Sequence, residues 1–214
     1  MAVFERAFQK RELHDPGIVR MVFSNTYLAP LWALVRLYLG YQWLIAGSHK
    51  VWGDARWIAL PGPDGLALKG FWTNAVAIPA KGHPAISYDW YRTFLTFMLN
   101  HGWYHWFAWV IALGEVTVGI MLIVGAFTGF AALAGATMNF NFMLAGSASI
   151  NPVLFIIAIL VMFSWKVSGW VGLDRWLLPA LGTPWEPGSA LHGLRTKRGP
   201  EGRGGVTSSY TPPA

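Results

Sequence analysis

The stretch from Gly102 to Trp165 reads GWYHWFAWVIALGEVTVGIMLIVGAFTGFAALAGATMNFNFMLAGSASINPVLFIIAILVMFSW and carries one formally charged side chain, Glu115. A run of about 18 or more apolar residues is typical of a transmembrane helix, because roughly 20 residues cross a hydrocarbon core of about 30 Å. This stretch is long enough for three such helices. Turn-forming residues divide it at 125–129 and at 146–152, which predicts helices over 103–125, 128–146 and 151–168.

The overall composition agrees with a membrane protein. Of the 214 residues, 54% are hydrophobic and 12% are charged, whereas an average soluble protein has about 25% charged residues. In lipid only helices and closed barrels satisfy their backbone hydrogen bonds, and near-continuous apolar runs favour helices. The net charge of +6 does not indicate nucleic-acid binding, because the basic residues flank apolar segments, where they orient a protein in an anionic membrane.

The predicted fold is an all-α integral membrane domain over 27–179, a bundle of four transmembrane helices. Its first span is predicted over 27–47, with Pro30 in the opening turn. Residues 1–26 form a cytoplasmic leader without a cleavable signal peptide. Residues 180–214 are rich in Gly, Pro, Ser and Arg and are predicted to be a disordered cytoplasmic tail.

The long connection over 48–101 is predicted to lie outside the cell. It is too charged to span, and its segment 84–100 has the aromatic pattern of an amphipathic helix at the membrane surface. Four Lys or Arg residues precede the first span and six follow from Lys166 onward. An even number of spans places both termini on one side, and the positive-inside rule makes that side cytoplasmic. We therefore expect a multi-pass protein of the plasma membrane.

Two permanently charged side chains, Arg36 and Glu115, are predicted near the bilayer centre. A single charge there costs about 2.5–3.5 kcal/mol on insertion scales, so we expect the two to contact each other between the first and second spans. One interpretation is a structural ion pair that joins the two helices. The other is a catalytic role in binding an anion or steering protons.

Aromatic and histidine side chains suggest a cofactor pocket. His101 and His105 are four residues apart, so both side chains can face one way, as a metal or haem ligand pair, as quinone partners, or as part of an aromatic belt at the membrane surface. On a helical period His101 and Tyr104 share the face of Glu115. With Trp43 and Arg36 of the first span opposite, they predict a slot for the head of a quinone.

Polar residues at two other places suggest further contacts. His49 and Lys50, just after the first span, are candidates for binding a substrate anion outside, or for capping the span with a snorkelling lysine. Asn139 and Asn141 lie about 200° apart around the third span, so they cannot face the same neighbour. One of them is expected at a boundary with another subunit or in lipid.

Other chemistry is excluded by what the sequence lacks. Without cysteine the chain has no disulfide, no thiolate-bound metal or iron–sulfur cluster and no covalently attached haem. No nucleotide-binding loop, zinc-ligand spacing or serine-nucleophile motif is present. Redox chemistry would therefore need a quinone, another cofactor not bound by cysteine, or a partner subunit, and no metal site is predicted.

Three sets of residues within 30–179 follow the pattern of one membrane family. They are Arg36, Gly40, Gly47 and Lys50; then Gly114, Glu115, Gly119, Leu122, Gly125 and Thr128; and finally Gly172, Leu173, Asp174, Arg175 and Trp176. On these residues the chain resembles the DoxX/DoxD proteins, and its long loop is closer to the DoxD type.

The resemblance implies a four-helix membrane bundle and an activity. DoxD is the membrane subunit of thiosulfate:quinone oxidoreductase, which couples oxidation of thiosulfate to tetrathionate to the reduction of a quinone and works with a small partner subunit. Other DoxX proteins belong to membrane oxidoreductase assemblies in thiol and oxidative-stress defence. Beyond Arg36 and Glu115 the resemblance assigns no catalytic residue.

Two functions stay open at this point. The first is the membrane subunit of a quinone-linked oxidoreductase that acts on thiosulfate or related sulfur and thiol compounds, with a partner subunit or as a homo-oligomer. The second is a non-catalytic membrane scaffold that docks a soluble redox enzyme. A transporter is disfavoured, because the chain shows no internal repeat of broken helices.

Overall fold

The computed structural model describes residues 15–53, 56–58 and 65–181, and all regular elements in these ranges are helical. The predicted all-α class is therefore confirmed. The elements are α1 (Gly17–Ser24), a 3-10 turn (Thr26–Leu28), α2 (Ala29–Trp52), α3 (Leu66–Val76), α4 (Asp89–Asn100), α5 (Tyr104–Val124), α6 (Thr128–Leu144), α7 (Asn151–Phe163), α8 (Trp165–Ser168) and α9 (Asp174–Leu181). Most of the predicted leader and nearly all of the predicted tail lie outside the described residues.

The chain divides into two compact units, Met1–Arg175 and Trp176–Ala214. The four long helices of the first unit lie where the sequence predicts spans, with differences at the end of the first and within the fourth. Helix α2 continues to Trp52, past the predicted end at residue 47, and the predicted fourth helix is interrupted at Ser164 between α7 and α8. Within the predicted leader, residues 17–24 form α1.

The connection between α2 and α5 contains more structure than the sequence predicts. The predicted surface helix over 84–100 is present but begins at Asp89. Helix α3 was not predicted, because Lys69 and Gly70 interrupt its apolar residues. It nevertheless buries Leu68 and Trp72 in a core shared with α4 and α5.

Helices α2 and α5 run antiparallel and approach each other closely along glycines. A Cβ atom at Gly47 would lie 2.7 Å from the backbone nitrogen of Val116, and one at Gly119 would lie 2.6 Å from that of Leu44. Such distances are shorter than any normal contact, so both positions need glycine. Small residues that allow close backbone contact are typical of helix pairs in membranes.

One helix of the described residues, α5, has the length and mean hydropathy, 2.2, to cross a membrane. A second candidate is α1 together with residues 26–52, if this pair, bent by 46°, is counted as one span. Helix α7 is apolar but has 13 residues, about 20 Å at the α-helical rise. Four complete spans therefore stay a prediction.

Candidate functional site

A buried ion pair joins α2 and α5. The Nζ atom of Lys50 lies 2.6 Å from Oε2 of Glu115, whose side chain is 1% exposed, while that of Lys50 is 16% exposed. Lys50 comes from the last turn of α2, and Glu115 lies at mid-length of α5. The second carboxylate oxygen, Oε1, has no hydrogen-bond partner. The pair therefore leaves one acceptor of a nearly inaccessible carboxylate open to a ligand.

Three aromatic rings cover the lysine side of this pair. The Nζ atom of Lys50 lies 5.0 Å from the ring centroid of Trp57 and 5.5 Å from that of Phe142. Phe71 packs against both rings, at 6.2 Å from each. The backbone nitrogen of Trp57 donates to the carbonyl of Lys50 at 2.8 Å, which holds the indole over the ammonium group. These cation–π contacts stabilise the charged ammonium group of Lys50, which is largely shielded from bulk water.

Arg36 does not contact Glu115, so the predicted pair is wrong. The Arg36 guanidinium donates to the carbonyls of Leu122 and Ile123 at the end of α5. It also donates to the carbonyls of Ser168 and Val171, both at 2.9 Å. A cation at a helix C-terminus satisfies carbonyls that have no partner within the helix and complements the helix dipole.

Asp174 completes this end of the bundle from the opposite side. Its carboxylate accepts from the backbone nitrogens of Phe127 at 2.6 Å and Thr128 at 2.8 Å, where α6 begins. An anion at a helix N-terminus is stabilising for the same electrostatic reason. Gly125 has φ +69° at the end of α5, and a Cβ there would lie 2.9 Å from the Arg36 guanidinium carbon. Arg36, Gly125, Thr128 and Asp174 thus have a structural role at this corner.

The structure does not bring the predicted quinone residues together. His101 is exposed at the end of α4, where its ring stacks on Phe97 at 4.0 Å. Tyr104 starts α5, with Lys69 Nζ 5.3 Å from its ring centroid. Eleven residues, about 16 Å of helix, separate Tyr104 from Glu115. A quinone head cannot touch these groups at once, so this predicted pocket is wrong.

The other predicted residues have separate roles. His49 is exposed, while its neighbour Lys50 turns inward to Glu115. Asn139 is fully buried, and Asn141 pairs within the chain, since the Tyr91 hydroxyl donates to the carbonyl oxygen of Asn141 at 3.1 Å. Asn141 is exposed whereas Asn139 is buried, so the two asparagines face different sides of α6, as their spacing predicts. In the described ranges no three His, Cys, Asp or Glu residues are placed to hold a metal ion.

An apolar cavity of about 240 Å³ lies one side chain away from the ion pair, and neither Lys50 nor Glu115 lines it. Phe142 lines it and also covers Lys50, and Ile111, another lining residue, lies one turn from Glu115 on α5. Its polar groups include the hydroxyl of Tyr91 and the amide of Asn141. Burial raises the pKa of Tyr91 to about 12, so this hydroxyl stays a hydrogen-bond donor at physiological pH.

The mouth of this cavity lies among outward-facing residues of three helices. Phe94 of α4 is 44% exposed and Val110 of α5 is 53% exposed, and Thr137 of α6 is also exposed. A ligand can therefore reach the cavity from the side of the bundle. The sequence analysis did not predict this cavity. The signal that could have indicated it is the spacing of aromatic residues over 90–98, which places one face of α4 against the bundle.

Trp43 is the one predicted cofactor residue that lies near Glu115. A Cβ at Gly47, one helical turn after Trp43 on α2, would lie 3.0 Å from Cβ of Glu115. The buried indole nitrogen of Trp43 has no hydrogen-bond partner. Of the predicted residues, the structure therefore brings Lys50 and Glu115 into direct contact, with Trp43 about two turns from Lys50 along α2. In comparisons with protein-family models, with curated proteins and with solved structures, nothing matches the chain.

Proposed function

We propose that this protein is a DoxX/DoxD-like integral membrane subunit of a quinone-linked oxidoreductase acting on thiosulfate or related sulfur and thiol compounds. The observation that carries the proposal is the apolar cavity that opens sideways one side chain away from the buried Lys50–Glu115 pair. The family resemblance supplies the substrate class. Lipid quinones have a flat ring, two hydrogen-bond-accepting oxygens and an apolar tail, which match an aromatic slot with few polar groups.

Support for the membrane location comes from the outer surface of the helices. Small residues face the helix contacts, while large apolar side chains face outward on each of the four long helices. A soluble protein rarely exposes so extensive an apolar surface, whereas lipid tails solvate it. Representative outward residues are Leu31, Leu34, Leu37 and Tyr41 on α2; Val110, Leu113 and Ile120 on α5; Phe130, Leu133 and Phe140 on α6; and Val153, Ile156 and Phe163 on α7.

Within this reading the residues of the site have distinct roles. Tyr91 and Asn141 would hydrogen-bond the oxygens of a quinone, and Phe94, Phe107 and Phe142 would hold its ring. Oxidation of two thiosulfate ions to tetrathionate releases two electrons and no protons. A bound quinone would accept these two electrons and take two protons from water. Glu115 is a buried acid–base group near the cavity, and Lys50 keeps its carboxylate charge compensated.

The experiment uses the full chain in lipid nanodiscs, with and without co-purifying partners. Binding of a short-tailed ubiquinone analogue is followed by quenching of tryptophan fluorescence, and thiosulfate-dependent reduction of the analogue is followed by absorbance. We expect saturable binding that Ala145→Phe, which fills the cavity, weakens at least tenfold. Ala134→Phe, on an exposed position of helix α6, which ends directly before Ala145, is the matched control and should bind like the wild type.

A second pair of variants keeps the test valid if the filled cavity prevents folding. Tyr91→Phe removes the cavity hydroxyl and should weaken binding several-fold, whereas Tyr88→Phe removes a hydroxyl from a residue that is 56% exposed and should change nothing. Equal binding by all variants would refute the cavity as the quinone site. Absence of thiosulfate-dependent reduction in any assembly, with partner binding retained, would favour the scaffold function instead.

A further inference from the structure

Buried polar atoms without a hydrogen-bond partner are concentrated in one part of the bundle. In the described ranges seven such side-chain atoms occur, and four of them belong to three residues: Nε1 of Trp43, Oε1 of Glu115, and both amide atoms of Asn139. These residues are 2%, 1% and 0% exposed. We call this group the polar layer. Native proteins rarely leave such atoms unsatisfied, and each exception calls for a cause.

The three residues come from three different helices, and Trp43 lies one helical turn from the level that Asn139 shares with Glu115. A Cβ at Gly135 of α6 would lie 2.8 Å from Nε1 of Trp43 on α2. One turn further along both helices come Asn139 and Gly47, and a Cβ at Gly47 would lie 3.0 Å from Cβ of Glu115. Another turn on, Phe142 of α6 covers Lys50 of α2. Helices α2 and α6 are therefore in register, which places Asn139 level with Glu115.

The chemistry of these atoms selects the class of ligand. Lys50 already compensates the charge of Glu115, so no ion is needed for charge balance. The unsatisfied set contains donors, the indole N–H and the amide NH₂, and acceptors, Oε1 of Glu115 and Oδ1 of Asn139. The ligand must be neutral, small, and both donor and acceptor. Water meets these conditions, because buried waters typically make two to four hydrogen bonds to otherwise unsatisfied groups.

We propose that the polar layer is an internal water site between α2, α5 and α6. Ordered water there accepts hydrogen bonds from Trp43 and Asn139 and donates to Oε1 of Glu115. Because position 135 is glycine, the indole nitrogen of Trp43 can lie close to the backbone of α6. The site gives the buried carboxylate of Glu115 a proton-exchange partner other than Lys50. It does not depend on quinone binding.

The first test is hydroxyl-radical footprinting by X-ray radiolysis, on the full chain in nanodiscs in water enriched in oxygen-18. Radicals form from bound water in place, so a buried tryptophan is oxidised only where water is adjacent. Trp32 is the matched control, since it is 8% exposed and its Nε1 donates to the carbonyl of Val22 at 2.7 Å. We expect Trp43 to be labelled at least threefold faster than Trp32. Labelling of Trp43 at or below the rate of Trp32 would overturn the proposal.

The second test uses the sign of a stability change. In a dry layer, Asn139→Leu would remove two unsatisfied groups and raise the thermal unfolding midpoint. In a hydrated layer the Asn139→Leu substitution removes hydrogen-bond partners of the water, and through the water those of Glu115. We therefore expect the unfolding midpoint to fall by several degrees. Asn74→Leu, on an exposed position of helix α3, controls for the change in helix propensity. A midpoint of Asn139→Leu at or above that of the wild type would reject the water site.

Discussion

At the scale of residues, the two cations of α2 serve different ends of the same helix pair. Lys50 neutralises the Glu115 carboxylate, whereas Arg36 donates to backbone carbonyls at the C-terminal end of α5. The sequence singles out Arg36 and Glu115 because charges in apolar helices need partners, whereas it suggests for Lys50 only anion binding or a snorkelling cap after the first span. A helical period predicts which face a residue occupies, but the depth at which it meets the partner helix depends on register. The antiparallel register of α2 and α5 brings Lys50, not Arg36, level with Glu115.

The ion pair makes a testable prediction for stability. Lys50→Met leaves the Glu115 carboxylate buried without a counter-charge, so we expect a loss of about 3–5 kcal/mol in the free energy of unfolding. Glu115→Leu leaves the ammonium group of Lys50 unpaired and should also destabilise, whereas the double variant should recover most of the loss. Unfolding in detergent, followed by tryptophan fluorescence, provides the double-mutant cycle.

The control for this cycle is Lys81→Met, which changes an exposed lysine of the loop before α4 and should leave stability within about 0.5 kcal/mol of the wild type. Losses that simply add in the double variant would show that Lys50 and Glu115 do not stabilise each other.

At the scale of elements, the sequence predicts helix positions better than it predicts what the loop contains. Gly125 and Pro152 are strong local signals, so the ends of α5 and the start of α7 are found within a few residues. Helix α3 escapes prediction because its stability comes from tertiary contacts of Leu68 and Trp72 rather than from a long apolar period. The cavity was missed for the same reason, since it exists only where α3 and α4 cover α5 and α6.

Two glycines separate the effect of close helix packing from that of intrinsic helix propensity. Gly47→Ala places a methyl group 2.7 Å from the backbone of α5, so we expect a loss of about 1–3 kcal/mol from overpacking. Gly70→Ala, within α3 and with no atom within 4 Å of the added Cβ, should stabilise by about 0.5–1 kcal/mol. Chemical unfolding of the two variants measures both changes, and an equal effect at the two sites would contradict the close contact of α2 with α5.

At the scale of the whole molecule, the polar and apolar residues are distributed in a way that suits lipid rather than water. The interior holds a charged pair, several unsatisfied polar atoms and many alanines, while many large apolar side chains face outward. The apolar runs of the sequence predict α5, α6 and α7, but of these only α5 has the length of a full span, since α6 and α7 have 17 and 13 residues. Their outward apolar faces are seen only once the helices are packed together.

The proposed orientation places both termini in the cytoplasm and the connection between α2 and α5 outside. The chain contains no cysteine, so single cysteines can be introduced without background labelling. We expect Ala80→Cys, on an exposed position, to react with a membrane-impermeant maleimide in intact cells. Ser208→Cys should react only after permeabilisation. The reverse pattern would show that the protein is inserted in the opposite orientation.

The contacts of Arg36 have a consequence for how the protein is made. The carbonyls that receive its guanidinium group belong to residues 86, 87, 132 and 135 positions later in the chain. While a ribosome is still synthesising those residues, the emerging Arg36 has none of its final acceptors, and an unsatisfied guanidinium is costly in hydrocarbon. If α2 spans the membrane as proposed, we therefore expect it to be stably inserted only after the segment around Val171 has been translated. Shortened chains that stop before this segment are expected to be targets for membrane quality-control proteases.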